Sequence, residues 1–158
     1  MAPPLIIDME QVDLDRVELT RDQIYQILPH RHEFMLLDGV CLADAQTMHL
    51  VAYADIRSDA WWTRGHVPGR PLLPGVLMLE MAGHASAILG RVLAGHEGFL
   101  GFGGVEACKF REAVVPPGRL YLLCVGEEFR RRRIISRTQG VIGDRLIFEA
   151  RITGLLLG

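Results

Sequence analysis

The chain has no Cys-x-x-Cys pair: Cys41, Cys108 and Cys124 are odd in number and far apart, which removes the spacing that zinc or dithiol chemistry needs. They read as small buried hydrophobes in a reducing compartment. His32-Glu33 and His96-Glu97 are followed by Leu36 and Leu100 where a His-Glu-x-x-His motif needs its second histidine, so no metal is expected. The sequence also lacks a Gly-x-Ser-x-Gly elbow and any Walker or dinucleotide glycine pattern, the signatures of common hydrolases and of nucleotide and NAD sites. No cofactor is expected. Basic excess is missing too: 17 Lys and Arg against 19 Asp and Glu give a net charge of −2, without the surplus that marks a nucleic-acid partner. Met1 to Leu19 holds no basic flank followed by an apolar core, so it does not read as a signal peptide, and a cytoplasmic location is expected.

What the chain does have is apolar mass. It is 49% hydrophobic and 23% charged, with a mean hydropathy of +0.20, greasy for a small monomer. The excess suits an oligomer interface or an acyl-binding tunnel. Residues 1–19 read as a flexible arm or an edge strand, and 20–158 as one domain. Thr20-Arg21-Asp22-Gln23 can cap a short helix to Leu28, stopped by Pro29. Phe34 to Leu42 and Thr47 to Ile56 suit strands, the second with His49, Val51 and Tyr53 alternating against Leu50, Ala52 and Ala54. Pro74 to Ala94 is the longest helical candidate, closed by Gly95; about 21 residues at roughly 1.5 Å each make a rod of about 30 Å. Strand patterns follow near Gly98–Phe110, Arg119–Phe129, Arg133–Val141 and Leu146–Leu155. The order predicts an α+β domain, one antiparallel sheet against or around one helix. A membrane span over Leu72–Leu93 is rejected because Pro74, Glu80 and His84 interrupt it.

Glu80 and His84 are the polar exceptions in an otherwise apolar helix, and at i and i+4 they share a face. They read either as a buried ion pair or as chemistry. Burial raises a carboxyl pKa, which would suit Glu80 to donate a proton near neutral pH. His66 stands upstream on a loop stiffened by Pro68, Pro71 and Pro74, where an imidazole can be a general base. Gly75 follows in the first helical turn, whose N–H groups lack intrahelical partners and lie at the positive end of the helix. Base, acid and oxyanion donors within fifteen residues suit proton abstraction beside a carbonyl and loss of water.

The motif His66-x-Pro68-Gly69-x-Pro71-x-x-Pro74-Gly75-x-x-x-x-Glu80 resembles the active-site signature of the 3-hydroxyacyl-(acyl carrier protein) dehydratases of type II fatty-acid synthesis. Leu28-Pro29-His30-Arg31 with Phe34 and Asp38, and Val114-Val115-Pro116-Pro117-Gly118, are similar to two further blocks of that family. The resemblance implies a hot-dog fold, a sheet wrapped around a central helix, and a homodimer with possible higher assembly. It implies that His66 takes the C2 proton of a (3R)-3-hydroxyacyl thioester, that Glu80 of the other subunit protonates the departing hydroxyl, and that the Gly75 N–H holds the thioester oxygen. Pro74 and His84 would support that site, and the substrate's partner would be acyl carrier protein. Three positions differ from the family's usual residues: His84 stands for a glutamine, Val67 for a phenylalanine, and Leu100-Gly101 where a tyrosine is common. A charged His84 would lower the Glu80 pKa.

Two alternatives remain at this stage, a hot-dog acyl thioesterase and a non-catalytic acyl-binding subunit. Arg130 to Arg133, with Lys109, Arg111 and Arg137, could meet an acidic carrier protein, or form a solvated hairpin partly neutralised by Glu127 and Glu128. In a strand, alternate arginines point to opposite faces, so four in a row serve one patch only across a turn.

Overall fold

The computed structural model describes residues 1–157. Seven strands form one antiparallel sheet: β1 Leu19–Thr20, β2 Gly39–Asp44, β3 His49–Ile56, β4 Phe99–Phe110, β5 Gly118–Arg130, β6 Arg133–Ile142 and β7 Arg145–Leu157. Their order across the sheet is β1-β2-β3-β5-β6-β7-β4, which leaves β1 and β4 at the edges. Two helices complete the fold, α1 at Arg21–Ile27 and α2 at Gly75–Ile88.

Strand alternation decides what faces the helix. Leu50, Ala52 and Ala54 of β3 and Leu120, Leu122 and Cys124 of β5 turn inward to join Met78, Met81, Ala85 and Ile88 of α2 in the main core. Full burial of one such leucine contributes about 1.5–3 kcal/mol. Val51 and Leu123, one residue out of phase, face the other side of the sheet. The apolar length of α2 is thereby explained: with the turn that follows it is long and apolar enough to cross a bilayer, yet here its side chains are buried against strands.

The helix-start reading for α1 holds in detail, since Thr20 Oγ1 accepts from the Gln23 N–H and the Gln23 side chain accepts from the Thr20 N–H. Pro74 is the residue capping α2 and not its first helical residue. The α-helix ends sooner than the pattern predicted, at Ile88, and Leu89–Leu93 widens into a π turn. There Gly90 leaves a space that the Leu100 Cδ1 of β4 occupies. Gly95, with φ of 71°, adopts the left-handed conformation that stops a helix.

Two expectations are corrected. Phe34 to Leu42 is not one strand: His32–Phe34 form a 3-10 turn and β2 begins only at Gly39. The Tyr53 ring sits where a Cβ on residue 39 would be, 2.5 Å away, and the Asp38 carboxylate accepts from the Asp55 N–H at 2.7 Å, so pairing with β3 starts at this junction. The N-terminal arm is not loose either. Ile7 is 5% exposed and packs with Cys41, Val51, Leu123 and Val141 on the outer face of the sheet. Gln139 ties the arm down, accepting from the Ile6 N–H at 2.9 Å and donating to the Pro4 carbonyl at 3.2 Å. Cys41 and Cys124 are buried, and burial pushes each thiol pKa up to about 11.

Candidate active site

The loop between β3 and α2 delivers His66. Its backbone N–H donates to the Trp62 carbonyl at 2.9 Å, and its carbonyl accepts from the Leu72 N–H at 2.8 Å. The ring is fixed as well, with Nδ1 2.8 Å from the Leu72 carbonyl oxygen. A carbonyl can only accept, so Nδ1 carries the proton and the Nε2 lone pair is left free. That is the tautomer of a general base. His66 is exposed, and it lines an open groove of about 370 Å³ with Leu72, Gly75, Met78 and Phe110.

Gly75 opens α2 in this groove. Leu77 and Met78 donate to the Pro74 carbonyl, while the N–H groups of the first helical residues have no acceptor within the helix itself. The space that a side chain would take at Gly75 is not open: the Phe110 ring would stand 3.0 Å from a Cβ there. A methyl there would require that ring to give by a few tenths of an ångström.

Glu80 and His84 do share a face, with Nε2 of His84 3.2 Å from Glu80 Oε1. His84 is 2% exposed, and its Nδ1 lies 3.1 Å from Tyr25 Oη. Tyr25 Oη in turn accepts from the Leu37 N–H at 2.8 Å. His30 lies against His84 with ring centroids 4.0 Å apart and planes tilted by 39°, and its Nε2 stands 3.7 Å from Glu80 Oε1. His30, Glu80 and His84 border a second cavity of about 140 Å³, walled by Phe99, Leu100, Phe102, Ile134 and Ile152. His66 is absent from it.

One chain therefore does not bring the two candidate catalytic groups together. His66 and Gly75 line one cavity, Glu80 and His84 another. The electrostatics also differ from the sequence expectation. Glu80 is half-buried, and the hydrogen bond from His84, opposed by desolvation, holds its carboxyl below the usual range; the raised value read from burial alone is corrected. Burial, reinforced by His84, lowers the His30 pKa, and burial raises that of Tyr25.

Sequence reasoning did not find Tyr25, and it gave His30 no role. Both sit near Pro29, 50 or more residues upstream of Glu80 and His84. The one available signal was Tyr25 itself, a tyrosine on the buried side of a short amphipathic helix, whose hydroxyl must find a partner. His30, Glu80 and His84 each offer a ligand atom within 4.8 Å of the others. A cation there would need the His84 Nε2 lone pair.

A FabA-like domain matches residues 28–151. Among curated relatives, the 3-hydroxyacyl-(acyl-carrier-protein) dehydratase FabZ of Legionella pneumophila subsp. pneumophila is 38% identical over 139 residues, covering 82% of this chain and 88% of that protein. The enzyme of the same name from Alkaliphilus metalliredigens is 33% identical over 144 residues, covering 89% and 96%. Among solved structures, the dehydratase heterocomplex ApeI:P from Xenorhabdus doucetiae superposes with a TM-score of 0.70 at 15% identity, over 89% of this chain and 92% of that one. Zebra fish thioesterase superfamily member 2 superposes with a TM-score of 0.64 at 15% identity, over 89% and 100%. The two structural likenesses show the hot-dog fold alone.

Proposed function

The chain belongs to the FabA-like domain family, and we infer that its reaction is the one its curated relatives are named for, loss of water from a 3-hydroxyacyl thioester. It is a hydro-lyase of fatty-acid or related acyl-chain biosynthesis. In our reading the substrate is a (3R)-3-hydroxyacyl chain on the phosphopantetheine of acyl carrier protein, the product is the trans-2-enoyl thioester, and the enzyme is a cytoplasmic homodimer.

The observation that carries the division of labour is the Nδ1 contact of His66 with the Leu72 carbonyl. It leaves Nε2 free to take the C2 proton. Electron density moves toward the thioester carbonyl, where the first-turn N–H groups at Gly75 and the helix dipole stabilise the developing oxyanion. The C3–O bond then breaks as Glu80 gives its proton to the hydroxyl, and water leaves. A bound acyl chain strips water from the Glu80 carboxyl, which strengthens the desolvation that raises its pKa and favours the protonated acid.

Because His66 and Glu80 line separate cavities, each working site takes its base from one subunit and its acid from the other. The edge strand β4 supports this assembly. It leaves Phe99, Phe102, Val105 and Phe110 exposed at 41, 45, 37 and 49%, and an unpaired apolar edge invites a partner strand.

The test is incubation with 3-hydroxyacyl thioesters on carrier protein and on a short thiol mimic, followed by mass spectrometry. Loss of water with the thioester intact supports the reading. Free thiol with free acid would replace it by a thioesterase, and unchanged substrate bound to protein by an acyl-binding subunit.

A further inference from the structure

The polar chain behind Glu80 has a direction that its atoms determine. The Leu37 N–H is a donor only, so Tyr25 Oη accepts from it at 2.8 Å. The phenol then has its own hydrogen to give, and 3.1 Å away stands Nδ1 of the buried His84. At the far end the Glu80 carboxylate accepts, 3.2 Å from His84 Nε2. A neutral imidazole has one donor and one acceptor nitrogen. With His84 neutral and Glu80 ionised, one assignment satisfies these four groups: Leu37 N–H to Tyr25, Tyr25 O–H to Nδ1, and Nε2–H to Glu80.

We propose that Tyr25 is a positioning residue for the dehydration, acting through His84: its hydroxyl, donating to Nδ1, holds the imidazole ring in the orientation that aims Nε2–H at the acid Glu80. In this form His84 offers the carboxylate what a glutamine amide would offer.

The dependence on Tyr25 follows from the alternatives. Without the hydroxyl, Nδ1 would be a buried acceptor with no donor, and the ring would be held at its Nε2 end alone. The proton would stay on Nε2, because the Glu80 carboxylate accepts it and nothing in the place of the hydroxyl would accept one from Nδ1. The imidazole would then be free to turn, and its N–H would be less closely aimed at Glu80.

Two measurements test the proposal, and the kinetic one rests on the dehydratase reading above. In ¹⁵N-histidine-labelled wild-type protein, His84 Nε2 should show the protonated-nitrogen signal and Nδ1 the unprotonated one; the opposite pattern overturns the proposal. Tyr25→Phe should leave the proton on Nε2 and lower kcat about tenfold, the loss of one positioned hydrogen bond. In a His84→Gln background, where the imidazole is gone, Tyr25→Phe should cost less than about twofold because the coupling is gone. An equal loss in both backgrounds would make Tyr25 merely structural and sink the idea. If Tyr25→Phe does not fold, the wild-type spectrum still decides. Absence of dehydration with the Nε2–H signal present would reject the dehydratase reading and leave the oriented hydrogen-bond chain standing.

Discussion

Gly83→Ala separates stability from activity in a way the geometry specifies. Gly83 lies inside α2, where alanine is better than glycine by about 1 kcal/mol. That gain alone would raise the melting midpoint by roughly 2–4 °C in a chain of this size. Against it stands the Phe102 ring, whose Cδ2 and Cε2 would both lie 2.8 Å from the new methyl carbon. Comfortable carbon contact begins near 3.5 Å, so the ring must retreat by roughly 0.7 Å. A ring in a closed core would resist at about 1–3 kcal/mol. Phe102 adjoins a register irregularity in β4 between Phe102 and Gly104, where the strand departs from regular pairing, so it can give way even with a partner strand beside it. The two effects nearly cancel, and thermal unfolding should stay within about 3 °C of wild type. Activity should not, because Phe102 and Gly83 wall the cavity that Glu80 borders. Displacement of a positioning wall by under 1 Å should cost about 10- to 100-fold in kcat/KM. Unfolding would be followed by calorimetry and turnover by enoyl-thioester absorbance. A fall of more than about 6 °C would show that the ring cannot move, and full activity would show that Phe102 does not border the working site.

Refolding His66→Ala and Glu80→Ala chains together in equal amounts should make about half of the dimers mixed and restore roughly a quarter of wild-type activity; mixed dimers seen by native mass spectrometry without activity would reject the shared site. Arg130 and Arg133 are paired with Glu128, and Arg137 with Glu127, so Arg131→Glu with Arg132→Glu at the turn should slow carrier-bound substrate more than a short mimic, with a flatter salt dependence. Equal slowing of both substrates would remove the turn from carrier docking. In acid, the lowered His30 pKa means the unfolded chain binds that proton first, so stability falls as pH drops below about 6.5 toward the folded value. The lowered Glu80 pKa adds stability that is full above about pH 4.3 and is lost as pH falls through its folded value. Urea melts across this range should show the first loss disappear in His30→Gln, and an unchanged profile would contradict the assignment.

The sequence made some of these features legible because they are local. The capping box of α1 occupies four consecutive residues, and Pro74 and Gly95 bracket the central helix at positions only a few permissive residues fill. The strands after residue 98 announced themselves by alternation between prolines and glycines. Glu80 and His84 stood out because two polar groups interrupt one apolar rod. What stayed hidden depends on contacts between distant segments. Tyr25 meets His84 across 59 positions, and nothing local to either residue encodes the meeting. For Glu80 the sequence offered both directions, up from burial and down from His84 four residues on, and the geometry of the donor from His84 is what lets the second outweigh the first. Nor could spacing along one chain reveal that His66 and Glu80, fourteen residues apart, line different cavities. The Arg130 to Arg133 run was read correctly in one respect, since the β5–β6 turn does interrupt it.

The docked N-terminal arm has a consequence for how the polypeptide reaches its native state. Gln139 and the Pro4–Ile6 segment that it fastens are separated by 133 to 135 positions, so during synthesis this segment leaves the ribosome well before its partner and can engage it only once Gln139 has emerged. Contacts this distant form late and slow the search. Until then Val51, Leu123 and Val141 lie bare on the outer face of the sheet, a temporary sticky surface on a nascent chain. An N-terminal fusion that delays docking would prolong that exposure, whereas a C-terminal one leaves the arm free to close it.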